Sequence, residues 1–483
     1  MVYPICRIDS LPDQSPGKHR EVSGNALSAV QQSLLDIHKC CRRIGLYMSN
    51  EDRAAPAPGT KLRRELGLPA VTLSGVGIIL GAGIYALLGE AAGMAGNGVW
   101  LTFAVAAAIA AFSALSYAEL SSMYPRASAE FEYVSNAFGR RLAFVVGWLI
   151  ALSGILGAAT VSLGFAGYFS DLFGVPALPS AILLLLVLAG ILLYGIKETA
   201  RAAIAMTLVE VGGIVMVILI GLPYLGRVDY FEMPFGVPGL LQASALVFFA
   251  YMGFEEIVKL SEETRNPERT IPLALMIALA ISVVLYILVS LAAVSVVGWE
   301  QLAASRAPFA DVAAVALGPA AFTVISVIAL FATANTALLM MMASSRIIYG
   351  MASSFSLPSV FARVHSRTRT PWAATIAVAL ASMVFLFAGE IDFVASITNF
   401  TLFVTFAIIN ASVILLRYRA PGVARPFRIP GNIGRFPVIP AVGIVSTLLL
   451  LTQLESLVLM VGGVMVVIGA LIALFGEQGS AVP

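Results

Sequence analysis

Apolar segments of about twenty residues recur along almost the whole chain, and they limit the fold more than any other feature. Only 12% of the 483 residues are charged, about half the share of a typical soluble domain. A β-barrel would need segments of about ten residues with strict alternation, and the sequence has none. The sequence therefore predicts an all-α integral membrane protein and excludes a soluble enzyme, a disordered chain and a nucleic-acid binder. Twelve segments are close to the length that spans a bilayer core as a helix: 66–90, 98–120, 141–170, 177–196, 202–226, 238–260, 271–298, 318–350, 372–390, 391–417, 436–452 and 454–476.

Basic residues are distributed very unevenly between the two ends of these predicted spans. If the N-terminus is cytoplasmic, 27 of the 29 Lys and Arg residues fall on the cytoplasmic side, and only Arg227 and Arg306 fall on the other. Lys and Arg favour cytoplasmic loops. We therefore expect a multi-pass protein of the cell (plasma) membrane whose N- and C-termini are both cytoplasmic.

Residues 1–60 differ from the rest of the chain. They are polar, they lack the apolar core of a secretory signal peptide, and they hold all three cysteines, so we expect no disulfide framework in the membrane part. Met48 is an alternative start, which would leave a short cytoplasmic leader. We expect a cytoplasmic segment at 1–60, a core of ten spans at 61–430, and spans 11 and 12 with a tail at 431–483.

Two spans are interrupted by glycine at matching positions of the two halves of the chain. Span 1 contains GAG at 81–83, and span 6 contains FFAYMGFEE at 248–256. Glycine alone is common in membrane helices because it permits close packing. Interrupted helices at matching positions instead indicate a transporter binding site. Spans 1 and 6 also run in opposite directions, as an inverted repeat of five plus five spans requires.

These stretches resemble those of the amino acid–polyamine–organocation transporter superfamily, of the amino acid permease type. GAGIY, FFAYMGFEE and the following EETRNPERTIP match its pattern, as do YAELSSMYPRA after span 2 and SLPSVFARVHSRTRTP after span 8. The resemblance covers roughly 61–476. It implies that spans 1–5 and 6–10 are inverted repeats with broken helices 1 and 6, that spans 11 and 12 are peripheral, and that the protein works by alternating access.

The same resemblance implies a substrate site at the two interruptions. The substrate carboxylate would bind backbone N–H groups of Ala82 and Gly83. The substrate amino group would bind the carbonyls of Ile79, Phe249 and Met252, at the open ends of the first half-helices. This agrees with the free N–H and C=O groups that a broken helix leaves. Tyr251 and Phe249 would shape or gate the pocket. The residues predicted to bind substrate are Ile79, Gly81, Ala82, Gly83, Phe249, Ala250, Tyr251, Met252 and Gly253.

Two carboxyl groups are candidates for gating or proton coupling. By resemblance, Glu255 occupies the position of a gating or proton-sensing glutamate in arginine–agmatine exchangers, although it could simply line the pore. Glu210 replaces a lysine that some family members carry on span 5, and a carboxyl at mid-membrane is costly and usually functional. The alternative for Glu210 is a structural hydrogen bond to a neighbouring helix. Thr333 and Thr336 on span 8 are candidates for a cation site, or they bond their own helix.

Some positions depart from the family pattern or have an expected structural role. Ser128-Ala129 replaces a Gly-Gly pair after span 2, and residues 353–355 replace an expected turn after span 8, which weakens the transfer of gating details. Glu119 is expected to pair with a loop arginine. Asn399 and Asn410 on span 10 are expected to join helices.

The leading functional hypothesis is a secondary active transporter of amino acids, working by proton-coupled symport or exchange. Alternatives are an amine or polyamine transporter or antiporter of the same fold, and a nutrient sensor that binds without transporting. We expect no enzyme activity, cofactor, metal site or nucleic-acid partner, because the sequence has no P-loop, HExxH or GxSxG motif. The expected partners are a small-molecule amino acid or amine, protons with sodium as the competing ion, and the lipid bilayer.

Overall fold

The structure is a computed structural model that describes residues 64, 66–126, 129–194, 196–353, 357–365, 368, 370–388 and 390–475. The predicted cytoplasmic segment at 1–60, with its cysteines and Met48, lies outside these residues, as do Ser128 and most of the turn at 353–355. The described part is almost entirely helical. It contains one small antiparallel hairpin, in which Asn432–Ile433 pairs with Phe436–Pro437.

The helices follow one another as twelve apolar passages, which agrees with the predicted span count. Nine helices of the described part are long and apolar enough to cross a membrane, and shorter apolar helices supply the first half of span 1 and spans 9 and 11. The all-α membrane fold is therefore confirmed. The spans are Leu68–Ile79 with Gly83–Ala95 (1), Val99–Met123 (2), Arg140–Phe173 (3), Ala177–Tyr194 (4), Ile196–Gly221 (5), Gly236–Val247 with Phe248–Tyr251 and Phe254–Glu263 (6), Pro267–Ala304 (7), Pro319–Ser353 (8), Trp372–Leu386 (9), Ile391–Arg419 (10), Val438–Leu451 (11) and Ser456–Phe475 (12).

Two linker helices lie at opposite ends of the spans. The end that carries Arg140, Arg265 and Arg417 is called the basic end, and the end that carries Asp171 and Asp311 is called the acidic end. The basic-end linker helix, Ala129–Phe138, joins spans 2 and 3, and the acidic-end linker helix, Pro308–Leu317, joins spans 7 and 8. Single turns of 3-10 helix lie at Gly96–Gly98, Leu222–Tyr224 and Ser359–Ala362.

The packing of the helices repeats itself when spans 1–5 are exchanged with spans 6–10. The first half of span 1 packs against span 7 and the second half of span 6. Correspondingly, the first half of span 6 packs against span 2 and the second half of span 1. The two linker helices also follow the second span of each half, at opposite ends. This exchange symmetry is that of an inverted repeat. Spans 11 and 12 pack on spans 2, 3 and 10 from outside this repeat.

A buried ion pair fastens spans 2 and 10 at the basic end. Arg417 donates to both carboxylate oxygens of Glu119, at 2.9 and 2.5 Å, and Arg425 lies 3.4 Å from the same carboxylate. The backbone N–H of Ile429 donates to Glu119 at 2.9 Å, and Arg417 also donates to Asn432 of the small hairpin. The expected pairing of Glu119 with a loop arginine is thus confirmed, and it anchors the whole loop between spans 10 and 11.

Candidate functional site

Span 1 stops being helical at Leu80–Ala82, which is called the span 1 break. The first half-helix ends at Ile79 and the second begins at Gly83. Two hydroxyl groups from other spans meet the break. The backbone N–H of Ala82 donates to Thr336 Oγ1 at 2.8 Å, and the Tyr286 hydroxyl lies 2.6 Å from the carbonyl oxygen of Ile79. Both of these backbone groups are therefore bonded within the protein.

Span 6 is interrupted at Met252–Gly253, which is called the span 6 break. A short 3-10 segment, Phe248–Tyr251, precedes it, and Gly253 has a φ of +117°, a conformation that L side chains rarely adopt. The backbone N–H of Met252 donates to the carbonyl of Phe249 at 3.1 Å. The Tyr286 hydroxyl also lies 2.9 Å from the carbonyl oxygen of Ala250, so one side chain of span 7 reaches both breaks.

The two breaks lie directly against each other. A methyl group placed on Gly83 would come within 2.7 Å of the Cα of Ala250, and one on Gly253 would come within 2.9 Å of the Ile78 carbonyl oxygen. Only glycine permits approaches this close. The structure therefore brings the predicted substrate-binding residues of spans 1 and 6 into one cluster. All of them are buried except Met252, which is half-buried.

Several backbone groups that were predicted to bind substrate already have hydrogen-bond partners within the protein. Ala82 N–H, expected to bind a substrate carboxylate, is bonded to Thr336. The carbonyls of Ile79 and Phe249, two of the three expected to bind an ammonium group, accept from Tyr286 and from Met252 N–H, respectively. Sequence reasoning missed Tyr286. The signal that could have found it is that it is the single tyrosine of the mostly apolar span 7, where a buried hydroxyl needs a partner.

Glu210 lies on span 5 beside the span 1 break and is fully buried. Its Oε2 accepts from Asn335 Nδ2 at 3.3 Å, and the same amide donates to Thr207 Oγ1 at 3.0 Å. The hydroxyl of Tyr85, two residues after Gly83, donates to the backbone carbonyl of Glu210 at 2.8 Å. Glu210 thus joins span 5 to the second half of span 1 and, through the residue before Thr336, to span 8.

Three acceptor oxygens lie in this buried cluster, namely Oε1 and Oε2 of Glu210 and Oδ1 of Asn335. Among the described residues, neither Glu210 Oε1 nor Asn335 Oδ1 has a hydrogen-bond partner. A carboxylate only accepts hydrogen bonds, whereas a protonated carboxyl also donates one. Thr333, in contrast, bonds the carbonyls of Ala329 and Leu330 in its own helix. Of the two threonines suggested for a cation site, only Thr336 touches a break.

Glu255 lies on the basic-end side of the span 6 break. Its Oε2 accepts from the backbone N–H of Gly253 at 2.9 Å, so the carboxyl group bonds a backbone donor of the span 6 break. Glu256 pairs with Lys259 on the next turn. Glu130 of the basic-end linker helix is buried and interacts electrostatically with Glu256 and Lys259. Burial raises the pKa of the Glu130 carboxyl. Glu130 was not predicted to belong to this cluster.

Aromatic side chains flank the breaks on both sides. Toward the basic end, the rings of Tyr117, Phe254 and Phe406 pack edge-on or tilted at 5.1–5.8 Å. Toward the acidic end, Tyr85 meets Phe309 of the acidic-end linker helix at 4.9 Å. An apolar groove between span 5 and that linker helix, lined by Met216, Tyr224 and Leu317 among others, shares no residue with the breaks. The two breaks are therefore buried between aromatic side chains on both sides.

Comparison with known proteins places this arrangement in context. The sequence profile of the amino acid permease family matches residues 66–475, which contain both breaks, Glu210 and Glu255. The branched-chain amino acid permease BcaP of Bacillus subtilis (strain 168) is 30% identical over 429 residues, covering 84% of this chain and 91% of that protein. The methylthioribose transporter of the same strain is 29% identical over 419 residues, covering 81% and 88%. Cationic amino acid transporter 2 (vacuolar) of Arabidopsis thaliana is 31% identical over 390 residues, covering 75% and 61%.

Proposed function

Because the chain belongs to the amino acid permease family and is a transporter of amino acids rather than an enzyme, we propose that it moves them by alternating access around the two helix breaks, coupled to protons through Glu210. The observation that carries the proposal is the direct contact of two broken helices in a buried site, where glycine at positions 83 and 253 permits their close approach. Broken helices that face each other at the repeat interface are how transporters of this kind bind substrate.

The backbone chemistry of the breaks suits an α-amino acid. The second half of span 1 starts at Gly83 with N–H groups and the positive end of its helix dipole, which favour a carboxylate. The first half-helices end in carbonyls at Ile79 and near Ala250, which favour an ammonium group. These backbone groups bind the α-carboxylate and α-ammonium groups that all amino acids share. The side chains of Phe249, Tyr251 and Met252 then determine which substrate side chain is preferred.

Glu210 is proposed to bind and release the coupled proton. The cluster around it holds more acceptors than donors, and a proton on the carboxyl supplies the missing donor. Its carboxyl bonds Asn335 on span 8, and the next residue, Thr336, bonds the span 1 break, so a change in the charge of Glu210 can reach the break through span 8. A sodium ion held by Glu210 with Thr336 is the competing arrangement, since hard cations take oxygen ligands.

We also propose that the basic end faces the cytoplasm and that the protein works in the plasma membrane. The 27 basic residues on that side support this orientation. Both termini are then cytoplasmic. The inverted repeat at 61–430 forms the transport core, whereas spans 11 and 12 at 431–483 support it from outside.

The test is transport by the purified protein in proteoliposomes. A pH gradient imposed without sodium should drive concentrative uptake of labelled leucine or lysine by the parent protein. Glu210→Gln keeps the size and hydrogen bonding of the side chain but cannot exchange a proton, so it should abolish concentration. Glu132→Gln, on the basic-end linker helix outside the site, is the matched control and should concentrate substrate like the parent.

Other results would contradict proton coupling through Glu210 or the choice of substrate. If Glu210→Gln still concentrates substrate, the coupling proposal fails, and Glu255→Gln then tests the second carboxyl. If the parent needs a sodium gradient, the sodium arrangement replaces the proton. A protein that binds substrate without accumulating it is a sensor. An amine that binds as well as its parent amino acid would favour the amine carrier, because it lacks the carboxylate. Methylthioribose, named for one relative, lacks both charged groups and should not compete.

A further inference from the structure

Two hydroxyl groups stand where the two charged groups of an amino acid would bind. Thr336 Oγ1 accepts from Ala82 N–H at 2.8 Å, as a carboxylate oxygen would. The Tyr286 hydroxyl lies 2.6 Å from the Ile79 carbonyl oxygen and donates to it, as an ammonium N–H would. Thr336 comes from span 8 and Tyr286 from span 7, so neither belongs to a broken helix.

These contacts matter most in the occluded conformation. A buried backbone N–H or C=O without a partner is strongly unfavourable. When a break is open to one side, water can bond these groups. In the conformation described here Ala82 and Ile79 are 0% and 1% exposed, so only protein groups or a bound substrate can bond them.

We propose that Tyr286 and Thr336 allow the carrier to pass through its occluded state without substrate, because they bond the backbone groups of the breaks in place of the ammonium and the carboxylate. The protein then performs net transport and is not restricted to exchange. This inference rests on the proposed function, in which the breaks bind the substrate.

The Tyr286 hydroxyl replaces the ammonium group only in part, and this difference determines whether exchange or net transport is faster. The Tyr286 hydroxyl lies 2.6 Å from the Ile79 carbonyl and 2.9 Å from the Ala250 carbonyl, yet it has one proton and can donate to one of them at a time. An ammonium group has three N–H donors and can serve both carbonyls. The loaded carrier is therefore occluded more easily than the unloaded one, so exchange should be faster than net transport in the parent.

The Tyr286 hydroxyl is held in this position by its surroundings. Its ring is fully buried and packs at 5.3 Å against Tyr251 and at 5.7 Å against Phe103. Tyr286→Phe keeps this packing and removes only the oxygen. On span 8, Thr336→Val removes the acceptor at similar volume, whereas Thr336→Ser keeps it.

The experiment compares two transport modes in proteoliposomes at equal pH on both sides. One is net efflux of labelled leucine into substrate-free buffer, and the other is exchange against external unlabelled leucine. Tyr286→Phe and Thr336→Val should each slow net efflux by about fivefold or more, since a lost partner for a buried polar group costs at least that factor. Exchange should change by less than about threefold, because the substrate supplies the missing partner.

Matched controls remove equivalent bonds that do not involve the backbone groups bonded by Tyr286 or Thr336. Tyr168→Phe removes a buried hydroxyl that bonds the Tyr85 carbonyl at 3.1 Å, and Thr447→Val removes one that bonds its own helix in span 11. Both should leave the ratio of net efflux to exchange unchanged, and Thr336→Ser should restore the parent ratio.

The outcomes separate this inference from the proposed function. A parent protein that exchanges no amino acid contradicts the proposed function itself. A parent that exchanges, with both variants losing net efflux and exchange equally, or losing neither, overturns the inference alone. If Tyr286→Phe does not fold, the pair Thr336→Val and Thr336→Ser decides, because equal ratios in these two variants also overturn it.

Discussion

Replacing Gly83 by alanine should disable transport although it adds a single methyl group. That methyl would lie 2.7 Å from the Cα, 3.0 Å from the Cβ and 3.2 Å from the N of Ala250. Two of these three atoms are backbone atoms, so no side chain can rotate away, and the two half-helices must separate by several tenths of an ångström. Overpacking of this kind costs about 1–3 kcal/mol, which lowers the population of the occluded state by roughly 5- to 150-fold.

The effect should be specific to occlusion and not to folding. Alternating access requires the breaks to part when the site opens, and the clash then disappears. We expect Gly83→Ala to fold, to melt within a few degrees of the parent, and to transport labelled leucine at least about fivefold more slowly. Gly350→Ala is the matched control, because a methyl group there meets no atom within 4 Å.

Two results would refute this reasoning. Parent-like transport by Gly83→Ala would mean that the breaks do not need to approach as closely as the structure shows. Equal loss in Gly350→Ala would mean that added methyl groups act through folding. A bulkier residue such as leucine at position 83 is less informative, because it would displace Ala250 in any conformation.

Two further predictions concern the basic end. Arg417→Met should leave the Glu119 carboxylate buried with only Arg425 and one backbone N–H as partners. This change costs about 3 kcal/mol, the lower part of the range for a broken buried pair, so the melting temperature in detergent should fall by several degrees. Arg428→Met, at an exposed position, is the control and should melt like the parent, and an unchanged melting temperature in Arg417→Met would show that the pair is dispensable. Burial raises the pKa of the Glu130 carboxyl, so the folded state binds this proton more tightly than the unfolded state. The folded state therefore loses stability as pH rises above the ordinary carboxyl range. Glu130→Gln should melt at a higher temperature than the parent at pH 8 and at the same temperature near pH 4, whereas a constant difference at all pH values would contradict the assignment.

The spans and both breaks could be predicted because their signals are local. Twenty apolar residues in a row specify a membrane helix whatever surrounds them, and Gly81–Gly83 and Gly253 interrupt that pattern within a few residues. The pairing of Glu119 with a loop arginine followed from its depth near the basic end. In these cases the sequence near the residue contains the physical reason for its structure.

The partners of the breaks could not be predicted in the same way. Tyr286 meets Ile79 across 207 residues of sequence, and Asn335 meets Glu210 across 125. Such contacts depend on how complete helices pack, and a buried tyrosine or asparagine has many alternative partners before the packing is known. The basic-end linker helix was missed for a related reason, since its ten residues are too few and too polar to stand out among long apolar spans.

The inverted repeat makes the backbone of the two halves alike, so the direction of coupling has to come from side chains that differ between them. Span 10 is the counterpart of span 5, and its Asn399 donates to the carbonyls of Ala245 and Leu246 at 2.7 and 2.9 Å, which ties it to the first half of span 6. An amide keeps this bond at every pH. Glu210 ties span 5 to Asn335 on span 8 with a carboxyl, whose bonding changes when a proton binds. The link between spans 10 and 6 therefore does not change with pH, whereas the proposed proton would change the link between spans 5 and 8. We expect the proton-driven movement to reach the span 1 break through Thr336 of span 8.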